Sequence, residues 1–430
     1  MTTYAVHDGR WGAPRIWFVA ALVMALAPWV FGSGLAITML SQMGIAIIAC
    51  LSYNMLLGQG GMLSFGHAVY TGLGAFVAIH ALNVWCAAAW PLPVSLVPLV
   101  GGVAGMGFAA LFGYVTTRKS GTTFAMITLG LAELVFAMSL MVPEFFGGEG
   151  GVSGNRVVGA PAFGISFGPA IQVYYLIALY TLASVVLMYA FTQTPLGRLL
   201  NAVRDNPERV EFIGYNPHRV RYSAFIIAGF FAGISGGLGA LNFEIVNAEV
   251  VGAARSGAYL LFTFLGGATF FFGPIVGAIL MVLAFVLLSE LTKAWLLYLG
   301  AVFMLMVMYA PGGIASLVMR NLQLLRHGLL RPMLGAYSLL GLAFGLCALG
   351  VSALIEMVYH RQLNAAMGAQ LRFLGATIDT ASPVHWCSLG VVLLVAAGFF
   401  EWARKRFALQ WDAAQQAIEQ ARLQQVGEAP

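Results

Sequence analysis

Glu133 occupies the position in this sequence with the greatest chemical consequence. It is the one acidic residue deep inside an apolar run, within residues 124–134. A carboxylate at the centre of a lipid bilayer costs about 2.5–3.5 kcal/mol on insertion scales, so it should face a bundle interior or a wet path. Two interpretations stay open: a gate or pathway residue, or a buried neutral acid that hydrogen-bonds between helices.

A second candidate is the segment 53–67, which inserts polar residues and glycines between two apolar runs. Backbone can leave the helical conformation inside a membrane only where it is buried in protein or lines a cavity. Asn54, Ser64 and His67 could therefore line a passage. The alternative for His67 is a buried, hydrogen-bonded structural role, and the glycines that follow it favour close helix packing.

Motifs for enzymes and cofactors are scarce. None of the three lysines follows a glycine, so the sequence lacks a phosphate-binding loop, and ATP would have to bind to another chain. The four cysteines have neither disulfide nor metal-ligand spacing. Residues 151–154 resemble a serine-protease motif only at the level of four residues, and we interpret them as a glycine-rich turn. The sequence predicts no catalytic residue, metal site or cofactor in this chain.

The elements that must position these residues are membrane-spanning helices. Of the 430 residues, 60% are hydrophobic and 9% are charged, against about 25% charged residues in soluble domains. The apolar runs are continuous rather than alternating, which favours helices over a β-barrel. The predicted fold is an all-α polytopic membrane protein with about 10–12 transmembrane helices. The twelve candidate spans are 16–32, 35–57, 63–83, 93–115, 121–142, 171–192, 223–242, 257–271, 275–290, 294–311, 333–357 and 385–402.

Some of these spans are short or adjoin one another. The regions 58–61 and 272–274 are rich in glycine and proline, so broken or re-entrant helices are predicted there as an alternative to full spans.

The positively charged residues predict the orientation. With a cytoplasmic N-terminus and alternating spans, 16 of the 21 lysines and arginines lie on the cytoplasmic side. Membrane proteins concentrate such residues in their cytoplasmic loops. The N-terminus is therefore predicted to be cytoplasmic, and the net charge of +5 is a topology signal rather than a nucleic-acid footprint.

Three segments are predicted to lie outside the bilayer. The charged loop 194–222 lies on the cytoplasmic side and is compatible with one or two short helices. The Gly- and Pro-rich segment 143–170 is predicted to be an ordered loop on the opposite side. The tail 403–430 has the pattern of an amphipathic helix, which is typical of a helix lying against lipid or of a docking face. Its apolar face consists of Phe407, Trp411, Ala414, Ile418 and Ala421.

Four stretches in order carry a resemblance to a known family. They are 54–74, which includes Leu63-Ser64-Phe65-Gly66-His67; 123–129; 147–152; and 202–241, which includes Arg204-Asp205-Asn206-Pro207-Glu208 and Gly214-Tyr215-Asn216. Together they make residues 35–317 resemble the permease subunit of branched-chain amino-acid ABC importers, of the LivM type. Each stretch alone is weak, whereas the four in family order are specific.

The resemblance implies roles for two sets of residues. The cytoplasmic loop would dock on a separate ATPase subunit, and the alternative is that its charges only solvate the loop and set the topology. The residues of this coupling loop are Arg204, Asp205, Asn206, Glu208, Gly214 and Asn216. The residues of the expected translocation path are Asn54, Ser64, His67, Thr128, Glu133, Gly148 and Glu149.

The resemblance also implies the partners and the location. The chain would work in the inner membrane of a bacterium with a second related permease subunit, two ABC ATPase subunits and a periplasmic substrate-binding protein. ATP would bind only to the partner subunits. The substrate would be a branched-chain or related amino acid, with amides, urea and aromatic acids left open.

The competing class is a stand-alone secondary transporter of amino-acid-like solutes, because twelve candidate spans also match that architecture. Such proteins usually carry several ionisable residues in the membrane, and here only Glu133 qualifies. The predicted domains are a permease domain over 1–319, an extension with two further spans over 320–402, and the cytoplasmic tail 403–430.

Overall fold

A computed structural model of the chain describes residues 14–84, 93–157, 166–310, 312–326, 330–363, 370–373 and 376–427. The helices are α1 (Pro14–Val30), α2 (Gly34–Asn54), α3 (His67–Val84), α4 (Val97–Thr116), α5 (Gly121–Met141), α6 (Pro143–Phe146), α7 (Ala170–Gln193), α8 (Pro195–Asp205), α9 (Pro207–Phe212), α10 (Pro217–Phe243), α11 (Ala253–Gly266), α12 (Gly273–Leu283), α13 (Ser289–Leu291), α14 (Trp295–Tyr309), α15 (Gly313–Arg326), α16 (Leu330–Leu363) and α17 (Pro383–Gly427). The strands are β1 (Val152–Ser153), β2 (Ile245–Val246), β3 (Gln370–Phe373) and β4 (Ala376–Asp379). Met55–Gln59 and Ala284–Leu288 are π-helical, and Val94–Leu96, Gly148–Gly150 and Ala248–Val251 form 3₁₀ turns.

The all-α polytopic fold is confirmed. Over the described part of the chain, nine helices are long and apolar enough to cross a bilayer, or ten if the bent pair α14 and α15 is one span. Every predicted span contains a helix, but α1 has 17 residues and α11 has 14, fewer than the roughly 20 that a full span needs. The short α11 agrees with the predicted break near residues 272–274.

The described residues belong to two compact units. The first comprises Met1–Glu290 and Ala301–Ser316, and the second comprises Leu291–Gly300 and Leu317–Pro430. In the first unit, α10 packs along both α3 and α4, while α2 packs against α7, α10 and α12.

Glycines set the distance between α3, α4 and α10. A Cβ atom at Gly74 would lie 2.6 Å from the Gly233 Cα, and one at Gly101 would lie 2.8 Å from the Gly233 carbonyl oxygen. One at Gly236 would collide with the Thr71 carbonyl oxygen. Lipid chains are as apolar as leucine, so helices in a membrane associate largely through such close packing of small residues. The glycines of this region therefore build the core of the bundle.

The chain leaves the helical conformation between α2 and α3. The π-helical turn Met55–Gln59 follows α2, and α3 begins only at His67, with Gly61 in the left-handed region at φ +63°. We call residues 55–66, which comprise this turn and the chain up to α3, the α2–α3 break. Its last glycine, Gly66, packs so closely on the backbone of Thr128 in α5 that a Cβ would collide with that carbonyl oxygen.

The loop after α5 is described over residues 143–157 and 166–170. Strand β1 pairs antiparallel with β2, so Ser153 lies in a short strand rather than in the predicted glycine turn. The Arg156 side chain donates hydrogen bonds to four backbone carbonyl groups and lies 3.8 Å from the Glu244 carboxylate. These contacts tie the loop to the end of α10.

In the second unit, α16 packs against α17, and β3 pairs with β4. The Glu356 carboxylate accepts hydrogen bonds from the hydroxyl groups of Thr292 and Tyr298 at 2.5 and 3.3 Å. The predicted tail is the C-terminal part of the 45-residue helix α17. Phe407 and Trp411 pack against Leu324 and Met333, so this part of the apolar face meets its own unit.

The side chains of Ala414, Ile418 and Ala421 lie outside the described residues.

Replacing Gly236 by alanine should reduce the amount of folded protein in the membrane. The added methyl group would overlap the Thr71 carbonyl oxygen, and overpacking of this kind costs about 1–3 kcal/mol or more. Gly239 lies in the same helix with no atom within 4 Å of a built Cβ, so Gly239→Ala is the matched control. Thermal unfolding in detergent measures the difference, and equal melting temperatures would contradict the packing argument.

Candidate functional site

The loop between α7 and α10 folds into the two short helices α8 and α9. Each of the helices α8, α9 and α10 starts with the same local signal, a capping side chain followed by proline. The Thr194 hydroxyl accepts a hydrogen bond from Gly197 N–H, the Asn206 amide oxygen from Arg209 N–H, and the Asn216 amide oxygen from His218 and Arg219 N–H. Proline is favoured in the next position because a backbone N–H there would have no helical partner, and proline has no N–H. These three caps fix the path of the loop.

Gly214 makes the turn between α9 and α10. Its φ of +88° lies in the left-handed region, which glycine adopts without steric cost. Gly214 N–H donates to the Glu211 carbonyl group and Tyr215 N–H donates to the Val210 carbonyl group. The turn is therefore the helix-ending type that favours glycine.

An apolar tip surrounds this turn. Phe212 is 87% exposed, Ile213 is 66% exposed, and Tyr215 is half-exposed, within a loop rich in charged residues. We call Phe212, Ile213 and Tyr215 the loop tip. None of the three is among the predicted loop residues, although an apolar triplet interrupted by glycine within a polar segment is a signal that the sequence contains.

The predicted loop residues divide into two groups. Asp205, Glu208, Gly214 and Asn216 are exposed, and Asn206 is half-buried because it caps α9. These positions are available for a partner, apart from the capping amides.

Arg204 instead joins α8 to the α2–α3 break. Its guanidinium donates a hydrogen bond to the Gly58 carbonyl oxygen and pairs with Asp205 at 3.1 Å. The neighbouring Asn201 amide donates to the Gln59 side-chain oxygen at 2.7 Å. Both contacts link the loop 194–222 directly to the π-helical turn after α2, and neither Asn201 nor Gln59 was predicted.

Three of the predicted path residues meet where α3 begins. Thr128 Oγ1 accepts a hydrogen bond from Phe65 N–H at 3.1 Å, and Ser64 Oγ accepts one from Gly66 N–H at 3.3 Å. His67 Nε2 lies 2.8 Å from the Ser52 hydroxyl. Ser64, His67 and Thr128 are all buried. The Thr128 and Ser64 hydroxyl groups thus bind two backbone N–H groups of the break that have no helical partner.

The same region contains buried polar atoms without partners. Among the described residues, Asn54 Oδ1, His67 Nδ1 and the Tyr70 hydroxyl form no hydrogen bond. The His67 ring is enclosed by Tyr53 and Tyr259, whose ring centroids lie 5.2 and 6.5 Å away. Buried polar groups are nearly always hydrogen-bonded, so these three atoms show that this conformation leaves polar groups around the start of α3 unsatisfied.

The remaining predicted path residues lie elsewhere. Glu133 is exposed on the surface of α5, beside the exposed Leu134 and on the helix that also exposes Met126. Gly148 is buried and Glu149 is exposed in the loop after α5. The structure therefore brings together Ser64, His67 and Thr128 but not Glu133, Gly148 or Glu149.

A comparison with known protein families adds to this geometry. The family model for the branched-chain amino acid transport system, permease component, matches residues 35–311. That range covers well over half of the chain. The chain belongs to this family. Of the two classes that the sequence left open, this assignment selects the ABC importer: the chain is a permease subunit, and the transport role of its family is not itself catalytic.

Curated relatives agree with the assignment. The permease is 27% identical over 340 residues to the high-affinity branched-chain amino acid transport system permease protein LivM of Salmonella typhimurium, and the match covers 74% of this chain and 78% of the relative. The LivM protein of Escherichia coli matches with the same identity and coverage. The fructose import permease protein FrcC of Rhizobium meliloti is 26% identical over 203 residues, which is 43% of this chain and 54% of the relative. No solved structure matches the permease.

The contact between Asn201 and Gln59 should be measurable as a coupling energy. A double-mutant cycle compares Asn201→Ala, Gln59→Ala and the double variant. Each single change removes the same hydrogen bond, which contributes about 0.5–1.5 kcal/mol. We expect the two changes to be non-additive by that amount in thermal unfolding. Gln193→Ala paired with Gln59→Ala is the control, since the exposed Gln193 amide donates to its neighbour Thr192 and, among the described residues, forms no hydrogen bond with Gln59. Additive effects in the first cycle would contradict the contact.

Proposed function

We propose that this permease forms half of the translocation path of an ABC importer for branched-chain or related amino acids in the inner membrane of a bacterium. Its partners would be a second related permease, two ATPase subunits that bind the ATP, and a periplasmic substrate-binding protein. The family assignment and the LivM relatives support the class of substrate. The observation that carries the mechanism is the link from the loop 194–222 to the α2–α3 break.

The loop tip is the surface that would enter a cleft on the ATPase. An exposed phenylalanine on a charged cytoplasmic loop is costly in water, and buried aromatic residues contribute most to binding at protein interfaces. The exposed Asp205, Glu208 and Arg209 surround it and suit a polar rim. This division into an apolar centre and a charged rim is typical of protein interfaces.

Helix α8 would carry the movement of the ATPase subunits into the membrane. Its buried Leu200 and Val203 anchor it to the bundle, while Asn201 and Arg204 bind the end of α2. A displacement of the loop tip would therefore pull on the α2–α3 break rather than on a flexible tether. The close glycine contacts of α10 with α3 and α4 leave smooth surfaces along which these helices could slide.

The α2–α3 break would open to the path in another state of the transport cycle. The orphan atoms Asn54 Oδ1 and His67 Nδ1 support this, because a conformation that admits water or substrate would satisfy them. Ser64, His67 and Thr128 would then offer hydrogen bonds to the charged ends of an amino acid. Tight binding is not required, since recognition would rest with the delivery protein.

Glu133 would face the second permease across the path. Its exposure on a membrane helix places a carboxylate on the surface of this subunit, where lipid is the least favourable neighbour. A water-filled interface between two permeases removes that cost. Gly148 and Glu149, in the outer loop, would lie at the entrance that receives substrate from the binding protein.

Removing the loop tip should separate the permease from its ATPases. We expect Phe212→Ala to lower the ATPase subunits retained in a mild-detergent purification by more than about tenfold, because such hot spots contribute about 2 kcal/mol or more. Phe243→Ala is the control, since Phe243 is half-exposed at the opposite end of α10. Mass spectrometry of the purified assembly measures the retention.

The same purification tests the function as a whole. Two ATPases and a second permease in a stable ratio, with ATP-dependent uptake of leucine in reconstituted vesicles, are the expected result. Recovery of the chain alone, with uptake driven by a proton or sodium gradient, would overturn the proposal. Uptake of an amide, urea or an aromatic acid in place of leucine would change only the substrate.

Neutralising Glu133 should impair transport without impairing folding. Because the side chain is exposed, Glu133→Gln is expected to leave membrane abundance unchanged while uptake falls severalfold. Glu144→Gln, an exposed glutamate of the outer loop, is the matched control. Unchanged uptake would exclude Glu133 from the path, and reduced abundance would support the helix-to-helix hydrogen bond instead.

A further inference from the structure

A cavity of about 600 Å³ lies between the end of α4 and the start of α10. Its lining is entirely aromatic or basic. The lining residues are Tyr114, Arg118, His218, Arg219 and Tyr222. No function considered above uses this cavity.

The aromatic residues hold the cavity in shape. The His218 and Tyr222 rings are stacked with centroids 6.1 Å apart, and the Tyr222 hydroxyl donates to the Ala110 carbonyl oxygen at 2.9 Å. The Thr117 hydroxyl donates to the Gly113 carbonyl oxygen and so accepts from His218 Nδ1 at 3.2 Å. These contacts cross from α4 to α10, so the cavity is a built feature of the fold.

Its positive charge is not neutralised by the protein. The Arg118 guanidinium lies 4.5 Å above the Tyr114 ring, a cation–π contact that orients the group and leaves its charge in place. Within the described ranges, neither Arg118 nor Arg219 forms a salt bridge. An anion with several oxygen atoms is the ligand that two such guanidinium groups favour.

The surface above the cavity is apolar. Leu111 and Val115 are exposed on α4, and helical spacing puts Leu111 on the same face as Val115 and the cavity-lining Tyr114. The cavity lies at the predicted cytoplasmic end of both helices. One face therefore presents a basic pocket at the level of lipid headgroups and an apolar stripe at the level of acyl chains.

We propose that this cavity binds the phosphate headgroup of an anionic phospholipid of the cytoplasmic leaflet. Basic pockets between transmembrane helices on the cytoplasmic side are a recognisable form of lipid site. Arg118 and Arg219 bind the phosphate oxygens, and the acyl chains lie along Leu111 and Val115. A soluble phosphate would satisfy the arginines but would leave the apolar stripe unused.

The site is next to the coupling loop. Arg219 lies in the first turn of α10, shortly after the Gly214 turn. A lipid phosphate there ties the start of α10 to the end of α4, and so to the membrane surface. The inference rests on the cavity and the predicted topology, and it holds whether or not the proposed substrate is correct.

The test uses the complete purified assembly in nanodiscs of phosphatidylcholine with phosphatidylglycerol. Native mass spectrometry is expected to show phosphatidylglycerol retained by the unchanged permease and severalfold less retained by the variant with Arg118→Gln and Arg219→Gln. Arg198→Gln combined with Arg320→Gln is the charge-matched control, since both arginines are exposed and neither lines the cavity. If the double variant is not recovered, Arg118→Lys is the alternative. Lysine keeps the positive charge that sets the topology but lacks the planar guanidinium group, so less phosphatidylglycerol should be retained.

Three outcomes would overturn the proposal. Equal retention by the unchanged permease and by the double or the lysine variant would mean that the lipid binds elsewhere. Protection of the unchanged permease against heat by inorganic phosphate in pure phosphatidylcholine, without selective retention of phosphatidylglycerol, would assign the cavity to a soluble anion. Loss of the ATPase subunits from the double variant, with lipid retention unchanged, would make the cavity part of a protein interface.

Discussion

Backbone amide and carbonyl groups that are buried in an apolar bundle must find partners within the protein, because lipid offers none. The α2–α3 break and the first turn of α3 contain such groups. Their partners come from three other elements: Thr128 of α5 bonds Phe65 N–H, Ser256 of α11 bonds Ala68 N–H, and Arg204 of α8 bonds the Gly58 carbonyl group. These contacts therefore join α5, α11 and the loop 194–222 to the chain between α2 and α3.

A second constraint is the close packing of α3, α4 and α10 through their glycines. Interlocking large side chains would fix α3, α4 and α10 in one arrangement, whereas their glycines bring backbones together without interlocking. Gly233 lies at the centre of this contact, within reach of Gly74 on α3 and Gly101 on α4. The same helix α10 starts within the loop 194–222, so one element combines the glycine contact surface with that loop.

The start of α10 gathers several kinds of chemistry within a few residues. Phe212 is exposed beside the Gly214 turn, Asn216 caps the helix, and Arg219 lines the basic cavity. An exposed apolar side chain, a helix cap and a basic cavity therefore lie close together at one helix terminus.

Composition and motif order were sufficient for the fold class and the family. Hydrophobic runs identify membrane helices because helices are the continuous apolar structure that satisfies its own backbone in lipid. The three capping-residue and proline pairs at Thr194, Asn206 and Asn216 likewise act locally, so the sequence alone determines where α8, α9 and α10 begin.

Only the tertiary structure decided which residues meet. Glu133 and His67 are both polar residues in apolar surroundings, yet one is exposed on α5 and the other is fully buried, because the facing of a nearly all-apolar helix leaves little trace in its sequence. The contact between Asn201 and Gln59 joins residues far apart in the chain and depends on where α8 packs. Local chemistry fixes where α8, α9 and α10 start, whereas packing between helices fixes the burial of His67, the contact between Asn201 and Gln59, and the basic cavity.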